Sequence, residues 1–247
     1  MTTYKLLALD MDGTVLNEQQ EISEENAYWI AEAKKAGITV CFSTGRAFQS
    51  AMPYAEQLGL QSPMITVNGS EVWRAPYDLY RRHMMDASVV RELYELANQY
   101  DVWFWGYTID QTYLKSTWNA SIAFEQEKWL KFGYTVEDEA IRHEIETKLN
   151  RMGGFEITNS SPINIEVNPL GISKASGLKD VCEILGIGMH EVVAVGDSIN
   201  DLAAIQTVGL GVAMGNAQEI VKESADLIVG SNEEHGVAQV IRDYLLK

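Results

Sequence analysis

Short apolar runs alternate with stretches of helical spacing at both ends of the chain. Residues 4–9 (YKLLAL) read as a buried strand that ends on Asp10. Ser23 has the character of a helix N-cap, Ala27, Ile30, Ala31 and Lys34 follow at helical spacing, and Gly37 is the stop. Residues 38–42 form a second buried strand. Phe48, Ala51, Met52, Ala55 and Leu58 mark one helical face ended by Gly59, and residues 64–67 are a third strand. The C-terminal part repeats this rhythm. Ser173 caps a helix with Leu178, Val181, Cys182 and Leu185 on one face and Gly186 behind it. Residues 192–195 are a strand followed by a helix from about Asn200. Residues 210–212 and 227–229 are short strands, and 237–246 a last helix. Strand and helix alternating in this way predict a doubly wound (Rossmann-like) α/β core, a parallel sheet with helices on both faces.

The middle of the chain breaks the rhythm. Asp86 or Ser88 opens a helix that runs to Tyr100, and residues 102–107 alternate, with Trp103, Trp105 and Tyr107 on one face. Residues 137–151 are helical, with Ile141, Ile145 and Leu149 in register; 154–158 and 163–167 are strands. The expected organisation is a core made of residues 1–80 and 169–247, with an antiparallel α+β cap, 81–168, inserted between its halves. The aromatic stripe reads first as core of the insert, with a platform for stacking on a sugar or base as the alternative.

Composition narrows the functions open to such a chain. Its 247 residues are 46% hydrophobic, the normal share of a globular protein. The net charge of −16, from 35 acidic and 19 basic residues, repels nucleic acid and anionic lipid. An anionic ligand therefore needs local cations or a metal. Two cysteines, Cys41 and Cys182, lie in apolar stretches without metal-ligand spacing, and His83, His143, His190 and His235 have none either. The N-terminus does not have the pattern of a signal peptide, and no apolar run approaches the roughly 18 residues of a membrane span. The expectation is a cytoplasmic protein that binds neither nucleic acid nor membrane.

The chemistry collects at strand ends. Asp10 and Asp12 follow the first strand, Ser43-Thr44-Gly45-Arg46 the second, and Gly196-Asp197-Ser198-Ile199-Asn200-Asp201 the strand 192–195. Open α/β sheets bind ligands at that edge, so these distant residues are expected to meet. Several carboxylates gathered there repel one another unless a hard cation intervenes, and Mg²⁺ accepts one or two carboxylates while keeping positions for substrate oxygens. With a metal in place, an Asp can serve as a nucleophile toward phosphorus. Thr44, the backbone N–H groups after it at Gly45 and Arg46, and the ammonium of Lys174 are candidates to hold phosphoryl oxygens. For Arg46 a structural ion pair is the stronger reading and a substrate-side role the alternative. Thr44 is also a candidate N-cap for the second helix. Taken alone, Asp10 to Gly13 fits a strand-ending turn; the company of Asp197 and Asn200 makes the catalytic reading the stronger one.

These segments, with Leu9-Asp10-Met11-Asp12-Gly13-Thr14, Asn68-Gly69, Ile172-Ser173-Lys174 and Gly211-Val212-Ala213-Met214-Gly215-Asn216-Ala217, resemble in order and spacing the haloacid-dehalogenase superfamily, in its Cof-like phosphatase branch. The resemblance implies that Asp10 is nucleophile and Mg²⁺ ligand, and that Asp12 is general acid/base and touches the metal through its carbonyl. It implies that Thr44 and Asn200 serve the phosphate, that Lys174 neutralises nucleophile and phosphate, and that Asp197 and Asp201 complete the metal site, Asp201 through water. The implied substrate is a small phosphorylated metabolite such as a sugar phosphate, nucleotide or cofactor phosphate, and the implied cap closes over the cleft to select it. Ala175 stands where the family usually has Gly, and Ala204 where it often has Met; neither touches the chemistry. Two rivals share the core pattern. A phosphomutase would return phosphate to its substrate, and a phospho-accepting regulatory domain would hold it without turnover.

Overall fold

The computed structural model describes residues 4–119 and 122–247. The first part runs β1 (Leu6–Leu9), α1 (Glu24–Lys35), β2 (Thr39–Phe42), α2 (Phe48–Gln57), β3 (Met64–Thr66), β4 (Glu71–Ala75) and β5 (Asp78–Arg82). The middle holds α3 (Ala87–Gln99), β6 (Trp103–Thr108), β7 (Thr112–Leu114), β8 (Trp129–Thr135), α4 (Glu139–Met152), β9 (Phe155–Thr158) and β10 (Asn164–Pro169). The last part holds α5 (Lys174–Leu185), β11 (Val192–Gly196), α6 (Ile199–Ile205), β12 (Leu210–Ala213), α7 (Glu219–Ser224), β13 (Leu227–Ile228) and α8 (Gly236–Val240). Two compact units result: Met1–Arg81 with Ser173–Lys247, and Arg82–Ile172.

The first unit carries a parallel sheet in the order β13-β12-β11-β1-β2. Within it β1, an interior strand between β11 and β2, is apolar on both sides, as a strand covered on both faces must be. Leu7 and Leu9 enter a cluster with Ile30 and Ala33 of α1, Ala51 of α2 and Val237 of α8. Leu6 and Ala8 enter a separate cluster with Leu178 and Val181 of α5. The alternation along four residues thus puts helices on opposite faces, which is the doubly wound arrangement. Local signals set the helix ends. The Ser23 hydroxyl accepts from the Asn26 N–H at 3.2 Å, Glu24 and Glu25 lie in the first turn of α1, and Lys34 and Lys35 in its last, all favourable to the helix dipole. Beyond β2 the chain forms a small antiparallel sheet, β3-β4-β5.

The turn after β3 is unusual. Val67, Asn68 and Gly69 all have positive φ, 51°, 55° and 98°. Left-handed backbone at a β-branched residue costs on the order of 1–3 kcal/mol and persists only where the surroundings impose it.

The second unit is an antiparallel sheet, β7-β6-β8-β10-β9, with α3 and α4 packed on one face. Its core holds Leu93, Phe104, Trp129, Phe132, Tyr134, Ile145 and Leu149. The aromatic stripe is where the sequence expectation is corrected. Phe104, between the stripe residues, points into this core, whereas Trp103 is exposed and Trp105 and Tyr107 half-buried on the other face. The alternation of β6 was legible, but bulky aromatics occupy both faces, so size alone misassigned the buried one. Asp86, not Ser88, occupies the N-cap position of α3. Among the described residues no helix is long and apolar enough to cross a membrane.

Candidate active site

Parallel pairing brings three strand ends to one level. Leu9 is in register with Val195 on one side and Phe42 on the other. The Asp10 N–H donates to the Val195 carbonyl at 3.0 Å, and the Ser43 N–H to the Leu9 carbonyl at 2.8 Å. Asp10, Asp197 and the loop from Ser43 to Arg46 therefore leave the sheet together.

The fully buried ammonium of Lys174, the first residue of α5, organises the carboxylates. It donates to Asp10 Oδ1 at 2.6 Å and to Asp201 Oδ1 at 2.7 Å. Asp201 Oδ2 accepts from the N–H groups of Asp197 and Ser198 at 3.1 and 3.2 Å. Both oxygens of Asp201 are thus engaged, so it orients Lys174 and the Asp197 turn rather than offering a free ligand atom. Asp197 accepts from the hydroxyls of Ser198 at 3.0 Å and Thr14 at 3.3 Å. Gly13 (φ +73°) must be glycine, because a Cβ there would stand 2.6 Å from Asp197 Oδ2. Thr14 and Ser198 are site residues that the sequence reading passed over; their places inside the two aspartate motifs were the available signal.

Asp12 lies apart from this trio. Arg46 grips it bidentately, Nε to Oδ2 at 2.7 Å and Nη2 to Oδ1 at 2.6 Å. The guanidinium also meets Gln20 Oε1 and lies 5.2 Å from the centroid of the Tyr54 ring. Arg46 is therefore in an ion pair, the stronger of its two readings. Burial pushes the Asp12 carboxyl up, but the hydrogen bonds and charge of Arg46 outweigh that, and Asp12 sits below the usual carboxylate range.

Thr44 does not cap α2, whose N-cap position is Ala47, three residues further along the chain. That hydroxyl accepts from the Arg46 N–H at 3.2 Å, which leaves its own hydrogen to donate. Gly45 stands between them in the same turn. Asn200 Nδ2 donates to Asn68 Oδ1 at 3.3 Å, while Asn200 Oδ1 and the Ser43 hydroxyl are buried without a hydrogen-bond partner among the described residues.

The charge count poses the problem that a metal solves. Carboxylate oxygens of Asp10, Asp197 and Asp201 lie within 4.8 Å of one another, with one ammonium among them. Lys174 stays charged, since Asp10 and Asp201 outweigh its burial. Burial and the neighbouring carboxylates push Asp10 well up, and Asp197 to about 7. A hard divalent cation fits this donor set, because it takes oxygen ligands and cancels the excess negative charge. A testable consequence is a pH-dependent metal effect. The folded pKa of Asp197 is raised, so without metal its ionisation subtracts stability as pH climbs from about 4 to about 7. Mg²⁺ binds the ionised form and restores that loss. In thermal melts with EDTA or excess MgCl₂, Mg²⁺ should raise Tm by about 5 °C at pH about 8 and by less than half of that at pH about 5. Equal shifts at both pH values would show that these carboxylates are not the metal site.

Comparison with known proteins gives a concordant result. A family model described as haloacid dehalogenase-like hydrolase matches residues 7–147 and 119–241. The 5-amino-6-(5-phospho-D-ribitylamino)uracil phosphatase YcsE of Bacillus subtilis (strain 168) is 46% identical over 242 residues, 98% of this chain and 96% of that one. A second Bacillus subtilis phosphatase of the same description, YitU, is 30% identical over 261 residues, 97% of each chain. The solved structure of a haloacid dehalogenase-like hydrolase from B. subtilis superposes with a TM-score of 0.88 at 26% identity, covering 98% of this chain and 100% of that one.

Proposed function

The chain belongs to the haloacid dehalogenase-like hydrolases, and on that footing we propose that it is a Mg²⁺-dependent phosphatase of phosphorylated small metabolites, with 5-amino-6-(5-phospho-D-ribitylamino)uracil as its substrate. The observation that carries the mechanism is the buried Lys174 ammonium held between Asp10 and Asp201. Burial and the neighbouring carboxylates oppose ionisation of Asp10, and the Lys174 ammonium is the group that counters them; an ionised carboxylate is what attacks phosphorus.

In this reading Asp10 forms a bond to phosphorus as the bond to the leaving oxygen breaks, and Asp12 supplies the proton which that oxygen needs. The product is an aspartyl-phosphate on Asp10. Asp12, again a carboxylate, then takes a proton from water as the water attacks phosphorus, releasing phosphate and regenerating Asp10. Paired with Arg46, Asp12 is in its base form; the acid half of the cycle requires it to carry a proton and part from the guanidinium. Lys174 spends two of its three protons on Asp10 and Asp201, and the third is available to a phosphoryl oxygen. The Thr44 hydroxyl and the Gly45 N–H are proposed for other phosphoryl oxygens. Asp10, Asp197 and the Asp12 carbonyl would hold Mg²⁺, with Asp201 contacting it through water. When bound, the metal neutralises the charge that builds on the transferring group.

The substrate assignment is carried over from YcsE and YitU, the relatives so described. It is tested by phosphate release from 5-amino-6-(5-phospho-D-ribitylamino)uracil beside pyridoxal phosphate and a hexose phosphate. The uracil compound should exceed the others in kcat/KM by about tenfold or more. A hexose phosphate converted to its isomer without phosphate release would mean a phosphomutase, and similar low values throughout would mean a generalist.

A further inference from the structure

Three separate pieces of the candidate site converge on one strained turn in the first unit. Val67, Asn68 and Gly69 are buried and run consecutively through the left-handed region. The Asn68 N–H donates to the Thr44 carbonyl at 3.0 Å and the Val67 N–H to the Arg46 carbonyl at 2.9 Å, so the turn holds the loop that carries Thr44. The Asn68 amide oxygen accepts from Asn200 Nδ2 at 3.3 Å, which ties down the nitrogen end of the Asn200 amide, while Asn200 Oδ1 has no hydrogen-bond partner among the described residues. Gly69 lies so close to α5 that a Cβ would stand 2.3 Å from the Ser173 carbonyl oxygen. Ser173 caps α5, and its carbonyl accepts the Gly177 N–H at 3.0 Å, so its position sets that of Lys174 beside it. Strain of this kind points to a role when the surroundings enforce it, and here the enforcing contacts lead to Thr44, Asn200 and Lys174.

We infer that Val67-Asn68-Gly69 is the positioning element of the phosphoryl-transfer site: Asn68 orients Asn200, and Gly69 seats the N-terminus of α5 and with it Lys174. The inference rests on the phosphatase reading above. None of the three residues contacts the reacting atoms; they act through Thr44, Asn200 and Lys174.

The test is Asn68→Gly, which keeps the left-handed backbone and deletes only the amide. Gly69→Ala, which must displace the Ser173 carbonyl, is the second variant. Phosphate release and inhibition by orthovanadate, which mimics the phosphoryl group in flight, are measured together with Tm. Asn68→Gly should lower kcat by about 10- to 100-fold, change KM by less than about threefold and raise the orthovanadate Ki in step with the loss of kcat, at nearly unchanged Tm. Gly69→Ala should show the same changes in kcat and vanadate Ki more strongly, with a lowered Tm because the added Cβ meets backbone. A purely structural role predicts less active protein with an unaltered vanadate Ki, and that result overturns the inference, as does an Asn68→Gly enzyme with wild-type kcat. A wild-type enzyme that releases no phosphate at all would sink the phosphatase reading, and this inference with it.

Discussion

Asp10→Asn should abolish phosphate release, with a loss of kcat on the order of 10³-fold or more, equivalent to at least about 4 kcal/mol in the barrier. The substitution is isosteric, so it removes the nucleophilic charge and leaves the packing. It should also stabilise the fold. Asp10 is 6% exposed, and burial together with Asp197 and Asp201 pushes its carboxyl up despite Lys174. The ionised form is therefore disfavoured in the folded state, and an uncharged amide relieves that strain at neutral pH. The expected gain is about 1 kcal/mol, or about 2–4 °C in Tm without metal. The two signs together are diagnostic, since ordinary damage lowers activity and Tm alike. A variant that keeps more than about a tenth of wild-type kcat would remove Asp10 from the role of nucleophile.

Lys174→Met should be as inactive but far less stable. The ammonium is fully buried, and its removal leaves Asp10 and Asp201 facing each other inside the protein. Breaking a buried ion pair from one side costs about 3–5 kcal/mol, which at this chain length is roughly 10 °C in Tm. The pH dependence has a definite sign. Without Lys174 the already raised pKa of Asp10 rises further, so the folded protein holds a proton that the unfolded chain gives up. The deficit should therefore be fully present at pH about 8 and shrink as pH falls through the raised value toward about 4. Adding Asp10→Asn to Lys174→Met should recover part of the lost stability, because one of the two stranded charges is gone. A Lys174→Met protein with wild-type Tm at pH about 8 would contradict the ion-pair geometry.

Both results depend on contacts whose participants are far apart in sequence, and they show where sequence reading stops. The pattern of apolar positions determined the parallel core. Leu6 to Leu9 could be apolar at every position only if both faces of the strand were covered. A parallel sheet necessarily delivers the C-terminal ends of its strands to one edge, so the aspartates after β1 and β11 and the Ser43–Arg46 loop after β2 had to meet there. The order of these motifs was enough to name the reaction class.

What the sequence left open was decided by side-chain geometry across the fold. Arg46 had two readings until it was found gripping Asp12. Asp201 was expected near the metal through water, but that its oxygens are engaged by Lys174 and two backbone N–H groups was not legible. Asn68 and Gly69 were a motif without a role until their distances to Asn200 and Ser173 were known. In β6 the period placed alternate residues on opposite faces but not which face was buried, because both carry aromatics. The physical reason is common to all four. Periodicity and turn chemistry are local and are written into neighbouring residues. The choice of partner for a charge, an amide or a ring depends on which distant segments packing brings within about 3 Å of it.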